Sequence, residues 1–409
     1  MAKGRWRDGL APWVLAVGSV ILSTVHGVAG SVSVVAAPRV HADARPGHAH
    51  LHPVPLGPIR RIAFATPQRG WMVFSPPGPR PSTTTPLPLT WTVLEVAHTD
   101  NGGRTWARVK RVQLQRPGLS APATWTFKAL GPNSALFAVS QPTRQGTSVT
   151  TVWTSSDQGR QWQTSRFNSP LGPNPSLFDL AAAHAGRACI LLASGPASGS
   201  VLTALYCGRI STGAWHKEVP GVSPALSLVA VSGIRMTRTG VWLTGQNASA
   251  WPDEFYVSQD GGRSFLSASV PLTSATNADT WPVILAPGKL PAMPVVAYLP
   301  RDYAFVLYHP NPRHGWTPTT PVDISQPDPV YSAVTPEVVF VRGQGKLYAT
   351  TNAGVTWTVV DDRSAGWDRL QFISATVGWA VAGTGFTTLL ATTDGGRHWR
   401  PVALRVYGR

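Results

Sequence analysis

Short apolar runs separated by turn-forming residues recur from residue 58 almost to the C-terminus. The clearest unit lies near the end of the chain, where the runs 370–373, 378–383 and 387–392 follow one another closely. Runs of this length, bounded by Gly and small polar residues, predict strands rather than helices. Each unit places three such runs before a Gly-containing turn and a fourth run after it. The pattern therefore predicts an all-β protein.

The turn before the fourth run carries a motif, S/T-x-D/N-x-G-x-x-W/F, that occurs five times. Its copies are Thr99, Asn101, Gly103 and Trp106; Ser155, Asp157, Gly159 and Trp162; Ser258, Asp260, Gly262 and Phe265; Thr350, Asn352, Gly354 and Trp357; and Thr392, Asp394, Gly396 and Trp399. The Asp or Asn side chain can accept hydrogen bonds from backbone N–H groups two residues on, and Gly can adopt the positive φ of a tight turn. The motif is therefore expected to stabilise the hairpin between a blade's third and fourth strands, with its aromatic ring packed inward.

Two weaker copies end at Trp215 and Trp316, so that the motif aromatics are spaced 41 to 56 residues apart. A period of this size is typical of four-stranded propeller blades. With seven aromatics, the sequence predicts a seven-bladed β-propeller of four-stranded antiparallel blades.

The motif resembles the Asp-box, or BNR, repeat. In combination with the Gly-Trp-x-Val runs at residues 70–73 and 378–381, it is most similar to the photosystem II stability and assembly factor family, over residues 58–402. This resemblance implies a propeller that helps to assemble or stabilise a membrane complex. Other Asp-box propellers include sialidases, xyloglucanase-type glycosidases and sorting-receptor ectodomains, and fold alone does not choose among these functions.

The N-terminal segment has the features of an export signal. Lys3, Arg5 and Arg7 precede an uncharged stretch from residue 9 to residue 38, and an Ala-x-Ala cleavage site lies at 42–44. The stretch is also long enough to span a bilayer, so both a cleaved signal peptide and a signal anchor fit. We expect a signal or anchor over residues 1–44, a Pro/His-rich linker over 45–57 and the propeller over 58–405. The propeller would lie outside the cell or on the outer face of the cytoplasmic membrane.

The charge balance favours an anionic partner. The net charge is +16, and only six of the 35 basic residues are lysines. Guanidinium groups pair well with carboxylates and phosphates, whereas the chain has no lysine-rich run or nucleic-acid-binding motif. Nucleic acid is therefore not an expected partner. The arginines predicted between strands could form a basic face: Arg60, Arg61, Arg80, Arg144, Arg235, Arg238 and Arg313.

Both cysteines, Cys189 and Cys207, lie in the exported part, on two strands joined by a Gly- and Ser-rich turn. A cross-strand disulfide is one interpretation in an oxidising compartment. Two buried thiols are the other, because sequence does not give the geometry of the pair.

Candidate catalytic and metal-binding groups are sparse. A glycosidase needs two opposed carboxylates, or a tyrosine nucleophile with a carboxylate and an arginine cluster. The best acidic segment contains Asp253, Glu254 and Tyr256, but the Phe-Arg-Ile-Pro signature of sialidases is absent. His48, His50 and His52 have a spacing that could hold Zn or Cu, yet no carboxylate or thiol completes the set. Each Asp-box offers too few oxygens for calcium, so we predict no metal and no cofactor.

These observations predict a monomeric, non-enzymatic binding protein whose partner is a protein at or near the membrane, or an anionic polymer or glycan. The alternative is an extracytoplasmic glycan-binding protein or glycosidase of the sialidase or xyloglucanase type. The residues of the binding site are not identified by the sequence.

Overall fold

A computed structural model shows the arrangement of the strands. It describes residues 52–77, 93–114, 123–143, 147–169, 175–183, 186–194, 203–210, 214–217, 228–237, 240–247, 254–260, 262, 264–269, 278–286, 289–298, 302–311, 315–326 and 328–408. Secondary structure in these ranges consists of strands and turns. No helix in the described ranges combines the length and the apolar character needed to cross a membrane.

Each of the first four blades is formed by four consecutive strands, paired antiparallel in chain order. Blade 1 contains Ile59–Phe64 (β1), Gly70–Phe74 (β2), Val93–Thr99 (β3) and Thr105–Gln113 (β4). Blade 2 contains Thr124–Ala129 (β5), Ala135–Pro142 (β6), Ser148–Ser155 (β7) and Gln163–Ser169 (β8). Blade 3 contains Pro175–Ala183 (β9), Arg187–Ser194 (β10), Thr203–Arg209 (β11) and Ala214–Lys217 (β12). Blade 4 contains Leu228–Met236 (β13), Val241–Asn247 (β14), Glu254–Ser258 (β15) and Leu266–Ser269 (β16).

Blades 5 to 7 repeat the same order. Blade 5 contains Ala278–Thr280 (β17), Met293–Tyr298 (β18), Tyr303–Asn311 (β19) and Gly315–Pro318 (β20), with Val322–Ile324 (β21) also paired to β19. Blade 6 contains Val330–Ala333 (β22), Val339–Gly343 (β23), Lys346–Thr350 (β24) and Thr358–Asp361 (β25). Blade 7 contains Arg369–Phe372 (β26), Gly378–Ala382 (β27), Thr388–Thr392 (β28) and Arg400–Val402 (β29). The all-β, seven-bladed propeller predicted from the repeats is confirmed.

The hydrophobic core lies between neighbouring blades rather than within one sheet. Trp71 and Val96 of blade 1, for example, pack with Phe127 and Phe137 of blade 2. Both faces of each inner sheet are therefore covered, and runs such as β2 and β27 are buried at every position. Continuous apolar runs are the expected sequence pattern for strands covered on both faces.

The recurrent Gly-Trp pair has a packing explanation. A Cβ atom placed on Gly70 would lie 2.5 Å from the ring of Phe64, and one on Gly378 would lie 2.6 Å from Phe372. In blades 1 and 7 the aromatic ring that ends the first strand therefore covers the glycine that begins the second. Only Gly leaves room for this ring, which explains why the two residue types recur together.

The ring closes in two ways between blades 7 and 1. A final strand, Arg405–Gly408 (β30), pairs in parallel with β4 at the outer edge of blade 1. On the inside, the side-chain amide of Gln371 bonds both backbone groups of Phe64, at 2.7 and 2.9 Å. Residues just before β1 take part as well, since the Val54 N–H donates to the Val406 carbonyl at 2.7 Å. The last segment of the chain thus belongs to the first blade.

Cys189 of β10 and Cys207 of β11 lie directly opposite each other and are joined by a disulfide. Both residues are buried in the cluster between blades 3 and 4. The bond crosslinks two neighbouring strands within one blade.

Candidate functional site

The Asp-box turns form a recurrent hydrogen-bonded loop. In the first copy, the Thr99 hydroxyl accepts from the Gly103 N–H at 3.1 Å and donates to the Asn101 side chain at 3.0 Å. The Asn101 oxygen accepts from the Thr105 N–H at 3.0 Å, four residues on. The Trp106 indole N–H donates to the Gly103 carbonyl at 2.7 Å. The sequence predicted that the Asp or Asn side chain accepts from the N–H two residues on, and this prediction is wrong. That side chain accepts from the N–H four residues on, and the Ser or Thr hydroxyl accepts from the glycine N–H.

The other four copies repeat this geometry. The glycine N–H groups donate to the hydroxyls of Ser155, Ser258, Thr350 and Thr392 at 2.6–3.1 Å. Each motif glycine has a positive φ, from 78° to 99°. One indole differs, since that of Trp357 donates to the Thr320 carbonyl. In Asp157 and Asp394 the carboxylate accepts backbone N–H bonds, which lower the pKa. These groups are engaged in the turn itself, which favours a structural role.

The acidic segment singled out in the sequence does not form a site in the described residues. Tyr256 is 2% exposed and packs in the core between blades 3 and 4, where a nucleophile could not meet a substrate. Asp253 lies outside the described residues, and Glu254 begins β15. His48 and His50 also lie outside them, and His52 is exposed.

The arginines predicted between strands are placed differently by the structure: Arg60 and Arg61 lie on β1 and Arg235 lies on β13, so that prediction is wrong for these three. Arg80, Arg144, Arg238 and Arg313 lie outside the described residues. Arg61 and Arg235 share one location. Both lie on first strands, and contacts between first strands run from blade 6 through blades 7, 1, 2 and 3 to blade 4. The first strands therefore surround a central channel.

Four charged side chains converge on this channel from four consecutive blades. Arg61 of blade 1 donates from Nη1 to the Phe127 carbonyl at 2.9 Å and lies 3.5 Å from the Thr126 hydroxyl. Asp179 of blade 3 accepts from Nη1 of Arg235, in blade 4, at 2.9 Å. Lys128 lies on the first strand of blade 2, between them in the ring. We call Arg61, Lys128, Asp179 and Arg235 the charged arc.

Lys128 makes no salt bridge in the part of the chain that the structure describes. Its side chain is partly exposed, yet burial, followed by the positive charge of Arg235, lowers its pKa to about 8. Arg61 shows a similar combination, with a solvent-exposed side chain and a pKa lowered by burial. Protein surrounds both groups while solvent still reaches them, as expected for side chains that line a channel.

Two aromatic residues lie at the next part of the ring, where both also pack against the core cluster between blades 5 and 6. Trp281 follows the first strand of blade 5, and Tyr331 lies on the first strand of blade 6. Their rings meet edge to face with centroids 6.5 Å apart, and both side chains are partly exposed. Burial raises the pKa of Tyr331 to about 12, so its hydroxyl stays protonated at neutral pH. No hydrogen bond joins this hydroxyl to another described residue. We call Trp281 and Tyr331 the aromatic arc.

Blade 7 contributes charges that are already paired. Arg369 lies 3.1 Å from Asp368 and donates to the Arg60 carbonyl at 3.2 Å. The Gln371 side-chain amide accepts from the Phe64 N–H and donates to the Phe64 carbonyl in blade 1. This part of the ring therefore serves closure of the propeller.

The charged arc has three cations and one carboxylate, which leaves two positive charges in excess. Asp179 is fully engaged: besides Arg235, it accepts from the N–H groups of Leu180 and Ile234 at 2.8 and 3.2 Å. It thus orients Arg235 and caps the open edge of β13. An anionic ligand would complete the charge balance, because an enclosed unpaired cation is costly.

The sequence did not identify Lys128, Asp179 or Tyr331 as site residues. One signal was present, since Asp179 interrupts the otherwise apolar run 177–182 on a predicted first strand. In a propeller, an isolated ionisable residue on a first strand is a candidate channel residue, because the first strands surround the channel.

No family model matches the chain, and no curated protein sequence matches it. Solved structures do. A Penicillium chrysogenum α-L-arabinanase complexed with arabinobiose is 13% identical, with a TM-score of 0.42, over 68% of this chain and 93% of that one. An ulvan lyase of polysaccharide lyase family PL25 is 8% identical, with a TM-score of 0.43, over 74% of this chain and 78% of that one. At these identities and TM-scores, similarity does not identify the ligand of this chain.

Proposed function

We propose that this chain is an exported protein that binds an acidic glycan through the charged arc of its central channel. The observation that carries the proposal is the Lys128 ammonium, which makes no salt bridge to a described residue and lies on the first strand between that of Arg61 and that of Asp179, the partner of Arg235. Convergent cations in a concave, partly dry site are the usual means of binding carboxylate or sulfate groups.

The enclosure of the charged arc favours a slender ligand over a folded protein. Arg61, Lys128 and Arg235 project from first strands, which are the innermost strands of their blades. A globular partner would meet the rim of the disk, whereas a polysaccharide chain is narrow enough to enter a channel. The aromatic arc adds apolar ring surface of the kind that packs against sugar rings. The scaffold role in a membrane complex, implied by the assembly-factor resemblance, stays a prediction.

Binding is also favoured over hydrolysis by the composition of the arc. Glycoside hydrolysis ordinarily needs two carboxyl groups, one on each side of the scissile bond. Among the side chains that the structure describes there, Asp179 is the one carboxylate of the charged arc, and its oxygens are already bonded to the Leu180 and Ile234 N–H groups and to Arg235. It is therefore suited to positioning Arg235 rather than to attacking a sugar.

Export is part of the same proposal. The apolar N-terminal segment over residues 1–44 has the composition of a signal peptide or anchor, and the Cys189–Cys207 disulfide suits an oxidising compartment. Extracellular acidic polysaccharides would be accessible to a protein in that location.

The proposal is tested by affinity electrophoresis of the purified full-length protein through gels that contain polygalacturonate, hyaluronan, dextran sulfate or neutral dextran. We expect retardation by acidic polymers, weakened by added salt because exposed parts of the interaction are screened. Lys128→Met should lose this retardation, while Arg400→Gln, at an exposed position on β29, should retain it. Equal retardation of both variants, or none by any acidic polymer, would contradict the proposal.

A further inference from the structure

We infer that the channel recognises the terminal residue of its glycan, and that this residue is a hexuronic acid. Its carboxylate would lie between Arg61 and Lys128, and its sugar ring would lie toward Trp281 and Tyr331. This inference rests on the proposed function and specifies the ligand of the same site.

The two-sided lining of the channel carries the inference. The charged arc spans blades 1 to 4, and the aromatic arc spans blades 5 and 6. Tyr331 lies on the first strand of blade 6, which belongs to the same ring of contacting first strands as those of the charged arc, so the two arcs face one space. A ligand that satisfies both arcs must combine an anionic group with an apolar ring face. A uronic acid residue has this combination, whereas a simple oxyanion or an acidic side chain has only the charge.

The arginine geometry favours a carboxylate as the anionic group. Arg61 makes its hydrogen bonds to described residues through Nη1. The edge formed by Nε and Nη2 has no partner among the described residues, and a planar carboxylate can accept two parallel bonds from such an edge. Lys128 would supply a second, non-directional charge from the neighbouring blade.

The enclosure of the site favours recognition of the end of a glycan chain over recognition of an internal sugar. The groups of the two arcs lie on, or next to, first strands of six blades, so a ligand reaches them along the channel axis. A terminal sugar can enter with the remaining chain trailing outward. An internal sugar would require the polymer to pass through the whole propeller.

The inference is tested by titration calorimetry of the full-length protein with D-glucuronic acid, glucose and oligogalacturonates of two to ten units. We expect glucuronic acid to bind and glucose not to bind. The Kd per oligogalacturonate molecule should change less than about threefold between the shortest and the longest oligomer. Lys128→Met should weaken binding at least tenfold, whereas the control Arg400→Gln, at an exposed position on β29, should preserve it. Unchanged melting temperatures would show that the variants are folded.

Each contrary result has a distinct meaning. If long polymers bind and compete but glucuronic acid and short oligomers do not, terminal recognition is wrong while acidic-glycan binding stands. Equal binding of dextran sulfate would overturn the carboxylate assignment, and preferential binding of sialic acid would overturn the hexuronic acid assignment. If no acidic polymer or sugar binds, both the inference and the proposed function fail.

Discussion

Replacing Lys128 by Met should stabilise the fold while it weakens ligand binding. Lys128 is a partly enclosed cation that makes no salt bridge to a described residue. Arg235 and Arg61 repel its charge, and Asp179 attracts it. Methionine has nearly the same length and no charge. The wild-type lysine therefore destabilises the fold, and its role would be to bind an anion.

The size of the effect follows from the pKa. A pKa lowered from 10.5 to about 8 corresponds to a loss of roughly 3 kcal/mol in folding free energy, at about 1.36 kcal/mol per pKa unit. Because the side chain is partly exposed, we expect a loss of about 1–3 kcal/mol. Because the folded-state pKa is depressed, the penalty is complete below about pH 8 and fades as the pH rises toward the unfolded-state value. Wild-type stability should therefore rise between these two pH values, relative to that of Lys128→Met.

Urea unfolding at pH 7 and at pH 10 measures this difference. We expect Lys128→Met to be more stable than wild type at pH 7 and nearly equal to it at pH 10. Lys346→Met, at an exposed position on β24, should match wild type at both pH values. A less stable Lys128→Met protein at pH 7, or a pH dependence identical to that of wild type, would refute the reasoning.

Three further predictions concern the fold. Removal of residues 403–409 should lower the free energy of unfolding by about 2–5 kcal/mol. Val406 is 3% exposed, a buried Val contributes about 1.5–3 kcal/mol, and the pairing with β4 is lost as well. An unchanged midpoint of urea unfolding would contradict this closure. Thr350→Val should cost about 1–3 kcal/mol, since it leaves the buried Gly354 N–H without its acceptor. Asn352→Ala, at an exposed position, should cost about 1 kcal/mol or less, and equal losses in chemical denaturation would show that the hydroxyl is not the main element of the turn. Burial lowers the pKa of His309, whose Nε2 bonds the Ala353 carbonyl; stability should therefore fall as the pH drops below about 6.5, and His309→Gln should lose part of that slope in unfolding measurements from pH 8 to pH 5.

The blade pattern could be predicted from the sequence because it is local. The hydroxyl, glycine and aromatic of each Asp-box lie within eight residues, and their turn geometry depends little on the rest of the chain. The Gly-Trp pair is likewise explained by contact with a nearby aromatic such as Phe64. Closure could not be predicted, since β30 pairs with β4 across about 300 residues and no motif of the sequence marks the two strands as partners.

The candidate site could not be read from the sequence for a related reason. Arg61, Lys128, Asp179 and Arg235 are far apart in the chain and follow no shared motif. They converge because each lies on the first strand of a different blade. The best acidic segment for the alternative, glycosidase interpretation was recognised only because its residues are neighbours in the chain, and its Tyr256 is buried in the core.

The most direct test of the account is a crystal structure of the protein grown with D-glucuronic acid. The account predicts the sugar inside the channel, with its carboxylate within hydrogen-bond distance of both Arg61 and Lys128 and its ring toward Tyr331. A sugar bound on the outer edge of a blade or on the Asp-box turns, with the channel unchanged, would contradict it.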